Sequence, residues 1–364
     1  MHGFYRGVLR CLLSLWKTES WCSQLKYEED DLIILGHGSG GALTNQLIKD
    51  VFQDAFGNPI LDELLDAAVL EVGGGRIAFT TDSFVVDPIF FPGGDIGTIA
   101  VCGTVNDLAV SGAEPLYLSS GFIIEEGLPI ADLRRIVQSM RESAKDAGVH
   151  IVTGDTKVVD RGSADKVFIN TAGIGVIPDG RLLSPRRMEP GDVVLISGTM
   201  GDHGLTILAQ REGLSFSTPV ESDCAPLNRI AKAILEAGGD GVRCMRDPTR
   251  GGLATTLNEL AVQSKRGILI QEEEIPLRRE VVGACEMLGI DPLYLANEGK
   301  VIAVVAPSVA DSVLEAMRDL PEGKGSVKIG QVLGEEEGLV LLETDLGATR
   351  ILGMLEGEPL PRIC

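Results

Sequence analysis

The sequence predicts an α+β protein of two domains, each with helices packed on one face of a mixed sheet. Three observations carry that reading. The chain has 364 residues, more than one hydrophobic core usually organises. Strand-like and helix-like runs alternate without a regular βαβ rhythm. Glycine is abundant (45 residues) and aromatic residues make up only 4%, the profile of a glycine-looped enzyme rather than of a fibre or a repeat.

Residues 1–27 stand apart. They hold both tryptophans, Trp16 and Trp21, and a short apolar run after Arg6 and Arg10 that weakly imitates a secretion signal without a clear small-residue cleavage site. Residues 1–31 are therefore read as an appended segment outside the fold. A glycine loop, Gly36-His37-Gly38-Ser39-Gly40-Gly41, then opens a helix over 42–56, with Leu43, Leu47, Val51 and Ala55 at helical spacing. Gly73-Gly74-Gly75 joins two β-rich runs, 67–72 and 76–86, as a hairpin. A helix over 96–111, a strand over 115–124, a helix over 130–147 and strands over 149–159 and 166–177 complete the first half. The turn-rich stretch Pro178-Asp179-Gly180 through Pro190-Gly191 divides the halves. Strands follow near 193–196, 242–246, 267–271, 300–306, 327–333 and 338–343, with helices near 203–212, 226–237, 250–264, 279–288 and 309–319. The domains accordingly read as 32–180 and 188–345, with a tail over 346–364.

That tail ends in a cysteine, Cys364. Two prolines and a glycine in Leu355-Glu356-Gly357-Glu358-Pro359-Leu360-Pro361 predict an extended, mobile arm. From Gly353 to the end it reaches at most ~40 Å. The terminal carboxylate should raise the thiol pKa unless a cation offsets it, and Arg362 is the nearest in sequence.

Net charge is −21, from 32 basic and 53 acidic residues. Such a field repels nucleic acid and anionic lipid, and any nucleotide would need divalent cations between its phosphates and these carboxylates. No run of about 18 apolar residues is present to span a membrane. The seven cysteines are scattered without a C-x-x-C pair, which argues for a reducing, cytoplasmic setting and against a zinc site or a disulfide framework.

Acidic residues recur in apolar or small-residue settings: Asp82 within a strand, Asp107 in an otherwise apolar helix, Asp155 with Lys157 at a strand bend, and Asp247 just before a helix. Carboxylates there are costly to bury unless a cation neutralises them, and hard oxygen ligands suit Mg²⁺. Each also has a plain structural role open to it, Asp247 and Asp107 as helix caps or ion-pair partners. The glycine loop offers N–H groups to an anion, or is simply a turn, and it is not a Walker loop. Glu298, in Asn297-Glu298-Gly299-Lys300, is a candidate general base or a surface ion pair. His203, in Gly201-Asp202-His203-Gly204, reads as a cap more readily than as a catalyst.

Taken together, His37-Gly-Ser-Gly-Gly41, Thr81-Asp-Ser-Phe-Val-Val86, Phe91-Pro-Gly-Gly-Asp-Ile-Gly97, Gly103-Thr-Val-Asn-Asp-Leu108, Gly154-Asp-Thr-Lys157, Gly201-Asp-His-Gly204, Arg246-Asp-Pro-Thr-Arg-Gly-Gly252, Asn297-Glu-Gly-Lys300 and Pro361-Arg-Ile-Cys364 closely resemble the HypE family of hydrogenase maturation factors, from about residue 32 to the end. The opening residues depart from it. The resemblance implies the fold of the aminoimidazole ribonucleotide synthetase and selenophosphate synthetase superfamily, with N-terminal domains pairing into a dimeric β-barrel. It implies that a HypF-type carbamoyltransferase loads Cys364, that ATP activates the thiocarboxamide oxygen, and that the resulting S-cyanide passes to iron on a HypC–HypD-type scaffold for nickel-iron hydrogenase. By the same match Cys364, Glu298 and Lys157 are catalytic. Asp82, Asp107 and Asp247 hold Mg²⁺. Asp82, Asp107, Asp155, Gly38, Gly40, Asn106 and Lys157 bind ATP. The alternatives are a superfamily synthetase acting on a free amide or selenide, and a non-catalytic assembly protein that merely docks its tail.

Overall fold

The structure, a computed structural model, describes residues 32–214, 220–355 and 362–364. The segment 1–31 and the proline-rich stretch 356–361 lie outside the described residues. Where the sequence predicts one helix over 42–56, α1 (Ala42–Leu47) is followed by a wider-turned segment, Ile48–Gln53, and a last turn, Asp54–Phe56.

The first half is built on a five-stranded mixed sheet. Strands β1 (Ala68–Val72) and β2 (Gly75–Phe84) form the hairpin expected around Gly73-Gly74. A two-stranded ribbon, β3 (Phe90–Phe91) with β4 (Gly94–Asp95), leads into α2 (Ile96–Val110). Then come β5 (Glu114–Glu125), α3 (Ile130–Ala147), β6 (His150–Val159) and β7 (Val167–Ile177). Spatial order is β1-β2-β7-β5-β6; only β5 and β6 run parallel, joined through α3. The Asp95 carboxylate caps α2 by accepting the Thr98 N–H at 2.9 Å. Thirteen of the fifteen residues of α2 are buried, as expected of a helix apolar on all sides. It lies on the sheet and carries Ala109 and Val110 into a core of the second half.

The opposite face of this sheet is open. Along β7 the buried residues Val167, Ile169, Thr171, Gly173, Gly175 and Ile177 alternate with Asn170, Ile174 and Val176, which are exposed. The sheet does not close into a barrel within the chain, and a large apolar row crosses the open face, because Phe79, Ile174 and Tyr117 are register partners and all exposed.

The second half holds a seven-stranded mixed sheet of β8 (Val193–Ile196), β9 (Val242–Arg246), β10 (Gly267–Gln271), β11 (Ile302–Val305), β12 (Val327–Leu333), β13 (Val340–Glu343) and β14 (Thr349–Ile351), ordered β14-β13-β10-β12-β8-β11-β9. Its helices are α4 (Asp202–Glu212), α5 (Asn228–Gly238), α6 (Gly252–Ser264), α7 (Arg279–Leu288) and α8 (Ala310–Arg318). Here the expectation of helices on one face is corrected. Val194, Ile196, Ile302 and Val304 pack with Leu253 and Leu257 of α6, whereas Leu195, Ala303 and Val305 pack with Ile230 and Ile234 of α5 and Val313 of α8. The unbroken run Ile-Ala-Val-Val of β11 marks a strand buried on both sides. Strand β14 falls inside the segment read as tail and pairs antiparallel with β13.

Candidate active site

The carboxylates converge where the halves meet. Asp66 precedes β1, Asp82 lies on the covered face of β2, Asp107 lies on α2, and Asp247 follows β9. Oxygens of Asp66, Asp107 and Asp247 lie within 4.8 Å of one another. Asp82 and Asp107 act on one another's carboxyls. Thr80, beside Asp82 on the same face, donates to Asp107 at 2.7 Å. Burial, then the neighbouring charges of Asp82, Asp247 and Asp66, pushes the Asp107 carboxyl well above its usual range. Burial, then Asp66, pushes Asp247 up to about 8, and burial raises Asp82 against the pull of Arg250. Arg246 is built into the cluster and pairs with Asp66, and Arg250 stands near Asp82. Four acids facing two arginines fit a divalent cation with all-oxygen ligands. Asp66 was not anticipated: it is a single acid in Leu-Leu-Asp-Ala-Ala, and its partner Arg246 is 180 residues away.

Glu298 sits 2% exposed beside this cluster. Its backbone is held on both sides: the N–H donates to Asp223 at 3.1 Å and the carbonyl accepts from Asn106 at 3.2 Å. Gly299 permits that approach, since a β-carbon there would meet the Asp223 carbonyl oxygen at 1.9 Å. One carboxyl oxygen of Glu298 is buried with no hydrogen-bond partner among the described residues. Burial first, then the charges of Asp223, Asp247 and Asp82, raises its pKa well above the usual carboxylate range. A buried carboxyl oxygen with a vacant lone pair beside the reacting thiol is placed to accept a proton.

The third component is the chain end. Cys364 borders a cavity of about 200 Å³ with Val85, Arg250, Ala296, Leu355 and the glycine loop at Gly38 and Ser39. Burial pushes its thiol up to about 12, opposed by Arg250 and reinforced by Glu298 and Asp82. The cation facing the sulfur is therefore Arg250. Arg362, expected from its sequence position, instead turns away to Asp165 and donates to the Val85 carbonyl. Arg250 also donates to the Gly38 carbonyl at 3.0 Å and is opposed to Gly40, whose φ of +80° and lack of a β-carbon allow the contact. Within the loop, the N–H groups of Gly40 and Gly41 donate to the Thr44 and Ser39 hydroxyls, so these two are committed internally rather than offered to an anion.

Other expected residues stand elsewhere. Asp155 and Lys157 are not at a bend but in the middle of the edge strand β6, exposed and paired with each other at 2.6 Å. The Lys157 ammonium holds the Asp155 carboxyl below its ordinary value. Register explains their position. Asp155 pairs with Gly121, Gly121 with Asn170, and Asn170 with Ser83. Partners across a sheet share a face, so Asp155 and Lys157 lie on the open side, whereas Asp82 points to the covered one. One chain therefore does not bring them to the acid cluster. The Asn106 side chain is committed as well: it donates to the Ala225 and Glu298 carbonyls and accepts from the Leu227 N–H, tying α2 to the second half. His203 does not cap the helix, whose N-cap is Gly201. The histidine is buried and hydrogen-bonds the Ile363 carbonyl at 2.8 Å.

Comparison with known proteins places this geometry in context. Residues 65–177 match the N-terminal domain, and residues 189–342 the C-terminal domain, of AIR synthase related proteins. The chain is 53% identical over 330 residues to carbamoyl dehydratase HypE of Bradyrhizobium diazoefficiens, covering 91% of this chain and 95% of that protein. A crystal structure of a hydrogenase maturation protein HypE in complex with ATP aligns with TM-score 0.77 and 53% identity, over 92% of this chain and 100% of that one. A HypE–HypF complex aligns with TM-score 0.81 and 50% identity, over 85% and 99%. Among the described residues no helix is long and apolar enough to cross a membrane.

Proposed function

The chain belongs to the AIR synthase related family and, within it, to the HypE carbamoyl dehydratases of hydrogenase maturation, and from that premise we propose how its residues divide the work. The reaction is the ATP-dependent dehydration of a carbamoyl group to a cyanide. Cys364 carries that group as a thiocarboxamide, R–S–C(=O)–NH₂, and the product is R–S–C≡N. Bound ATP supplies the phosphoryl group that turns the carbamoyl oxygen into a leaving group, and Mg²⁺ neutralises the phosphate charge.

The chain's own residues supply position and proton transfer. Asp66, Asp82, Asp107 and Asp247 would hold Mg²⁺. Arg250, facing Cys364, steadies negative charge as it develops on the carbamoyl oxygen. Glu298 takes one nitrogen proton on its unpartnered oxygen as the carbamoyl oxygen is phosphorylated, the second leaves with the phosphate as the C–O bond breaks and the nitrile forms, and Glu298 then returns its proton to the departing phosphate. The buried and unpartnered carboxyl oxygen of Glu298 beside Cys364 is the observation that carries this reading.

The open face of the first sheet, with its row Phe79, Ile174 and Tyr117, supports a homodimer formed through that face. Asp155 and Lys157 lie on the same face, so the dimer is the route by which Lys157 would assist proton transfer and Asp155 and Lys157 would reach ATP. Gly38 and Gly40 would line the nucleotide's approach after the loop rearranges. The tail's partners would be a HypF-type carbamoyltransferase and a HypC–HypD-type iron scaffold, in the cytoplasm, with neither nucleic acid nor membrane involved.

Intact mass and C-terminal peptide mapping test the reading, after incubation with the carbamoyltransferase, carbamoyl phosphate and Mg-ATP. Cys364 should gain ~43 Da, falling to ~25 Da as the amide becomes a nitrile on the same sulfur. ATP hydrolysis with no change at Cys364 would instead indicate a synthetase acting on a free substrate.

A further inference from the structure

The last three residues are held as a ligand is held. The Val85 N–H donates to a terminal oxygen of Cys364 at 3.0 Å and the Asp87 N–H to the Arg362 carbonyl at 3.3 Å. These two pairs have antiparallel register, so the tail end docks backbone to backbone along the segment that follows β2, with Arg362 in the left-handed region. Nε2 of His203 binds the intervening Ile363 carbonyl at 2.8 Å, while its Nδ1 is fixed by Ser222 at 2.8 Å and its ring stands edge-on to Phe91. Arg211 bridges the two segments, donating to the Asp87 carbonyl at 2.5 Å and to the Arg362 carbonyl. Asp165 pairs with the Arg362 guanidinium. Ile363 is 4% exposed, within the core that also holds Phe91 and Ile207.

Every carbonyl of the tripeptide has a donor, its arginine has an acid and its isoleucine has an apolar pocket. We propose that this surface is a peptide-binding site selective for an Arg-Ile-Cys segment, and that the same sequence presented in trans exchanges with the chain's own tail. His203, Arg211 and Asp165 are then positioning and specificity residues for the reaction at Cys364. This deepens the functional reading, which requires the thiol to visit the site and leave it. A contact of three residues suits that traffic. It is held mainly by being tethered, at an effective concentration on the order of millimolar, so free peptide at several times that level should compete.

The test uses the full-length protein without ATP or partners. It follows alkylation of Cys364 by a maleimide, with the buried Cys244 and Cys285 as internal references. A peptide ending Pro-Arg-Ile-Ser should speed Cys364 labelling about fivefold at roughly 10 mM, and a scrambled peptide should not. Arg211→Ala should speed it roughly tenfold, Arg211→Lys less, and Asp165→Ala about two- to threefold because that pair is partly exposed. The reference cysteines should stay unlabelled. Equal labelling with cognate and scrambled peptide would overturn the proposal, and so would unchanged rates in the variants. If a variant also exposes the reference cysteines, the peptide competition on the unaltered protein decides alone. A failure of Cys364 to be carbamoylated would leave this result standing, since no turnover is measured.

Discussion

The same carboxylate side chain meets opposite fates on the two faces of the N-terminal sheet. On the covered face, Asp82, Asp107 and Asp247 gather around Asp66, and burial and neighbouring acids raise the pKa of the first three although Arg246 and Arg250 stand nearby. On the open face, Asp155 is solvated and satisfied by Lys157, which lowers its pKa. The first arrangement stores unfavourable energy that a cation would release, while the second stores none. Two acids that look alike in a sequence string thus differ in whether the fold needs something more.

The sharpest break of that comparison would come from Cys364, the thiol that both regions serve in the proposed reaction. Cys364→Ala should abolish cyanide formation outright while Mg-ATP affinity, measured by calorimetry, stays within about twofold. Next, Asp107→Asn should cut cyanide formation by roughly 10²- to 10³-fold. Without Mg²⁺ the same change should raise the melting temperature, because it removes the charge most opposed by its neighbours. A lower apo melting temperature would mean that the cluster is satisfied without a cation. Lys157→Ala should lower kcat measurably and leave the melting temperature unchanged. An unchanged kcat would confine the pair to the surface.

The mildest effect is one of pH. A carboxyl whose folded pKa is raised adds stability that is complete below its unfolded value and is lost as pH rises through the folded value. For Asp247 that window runs from about 4, the unfolded value, to about 8. Apo stability should therefore decline across it, and the stabilisation by Mg²⁺, read as a melting-temperature difference, should grow with pH. A Mg²⁺ effect that is flat with pH would remove Asp247 from the metal site.

How much of this was legible beforehand follows from where each signal lives. Asp82, Asp107 and Asp247 were readable because a charge amid apolar or small residues is anomalous in the string itself. Asp66 was not, since its significance lies in Arg246 and in neighbours brought by other elements. The opposed faces of Asp82 and Lys157 depend on strand order and register, which sequence periodicity does not fix when nine of the ten residues of β6 are exposed. The two-sided burial of β11 was written in Ile-Ala-Val-Val, though a run of four is too short to separate a central strand from an edge one. His203 looked like a cap because the carbonyl it binds belongs to the other end of the chain.

The two backbone pairs at Val85 and Asp87 give the chain end a ruler. Slipping the Arg362–Cys364 segment by one residue against them would turn the sulfur to the opposite side, away from the cavity it shares with Arg250. Two backbone hydrogen bonds outside the acid cluster therefore set where the reacting atom lies.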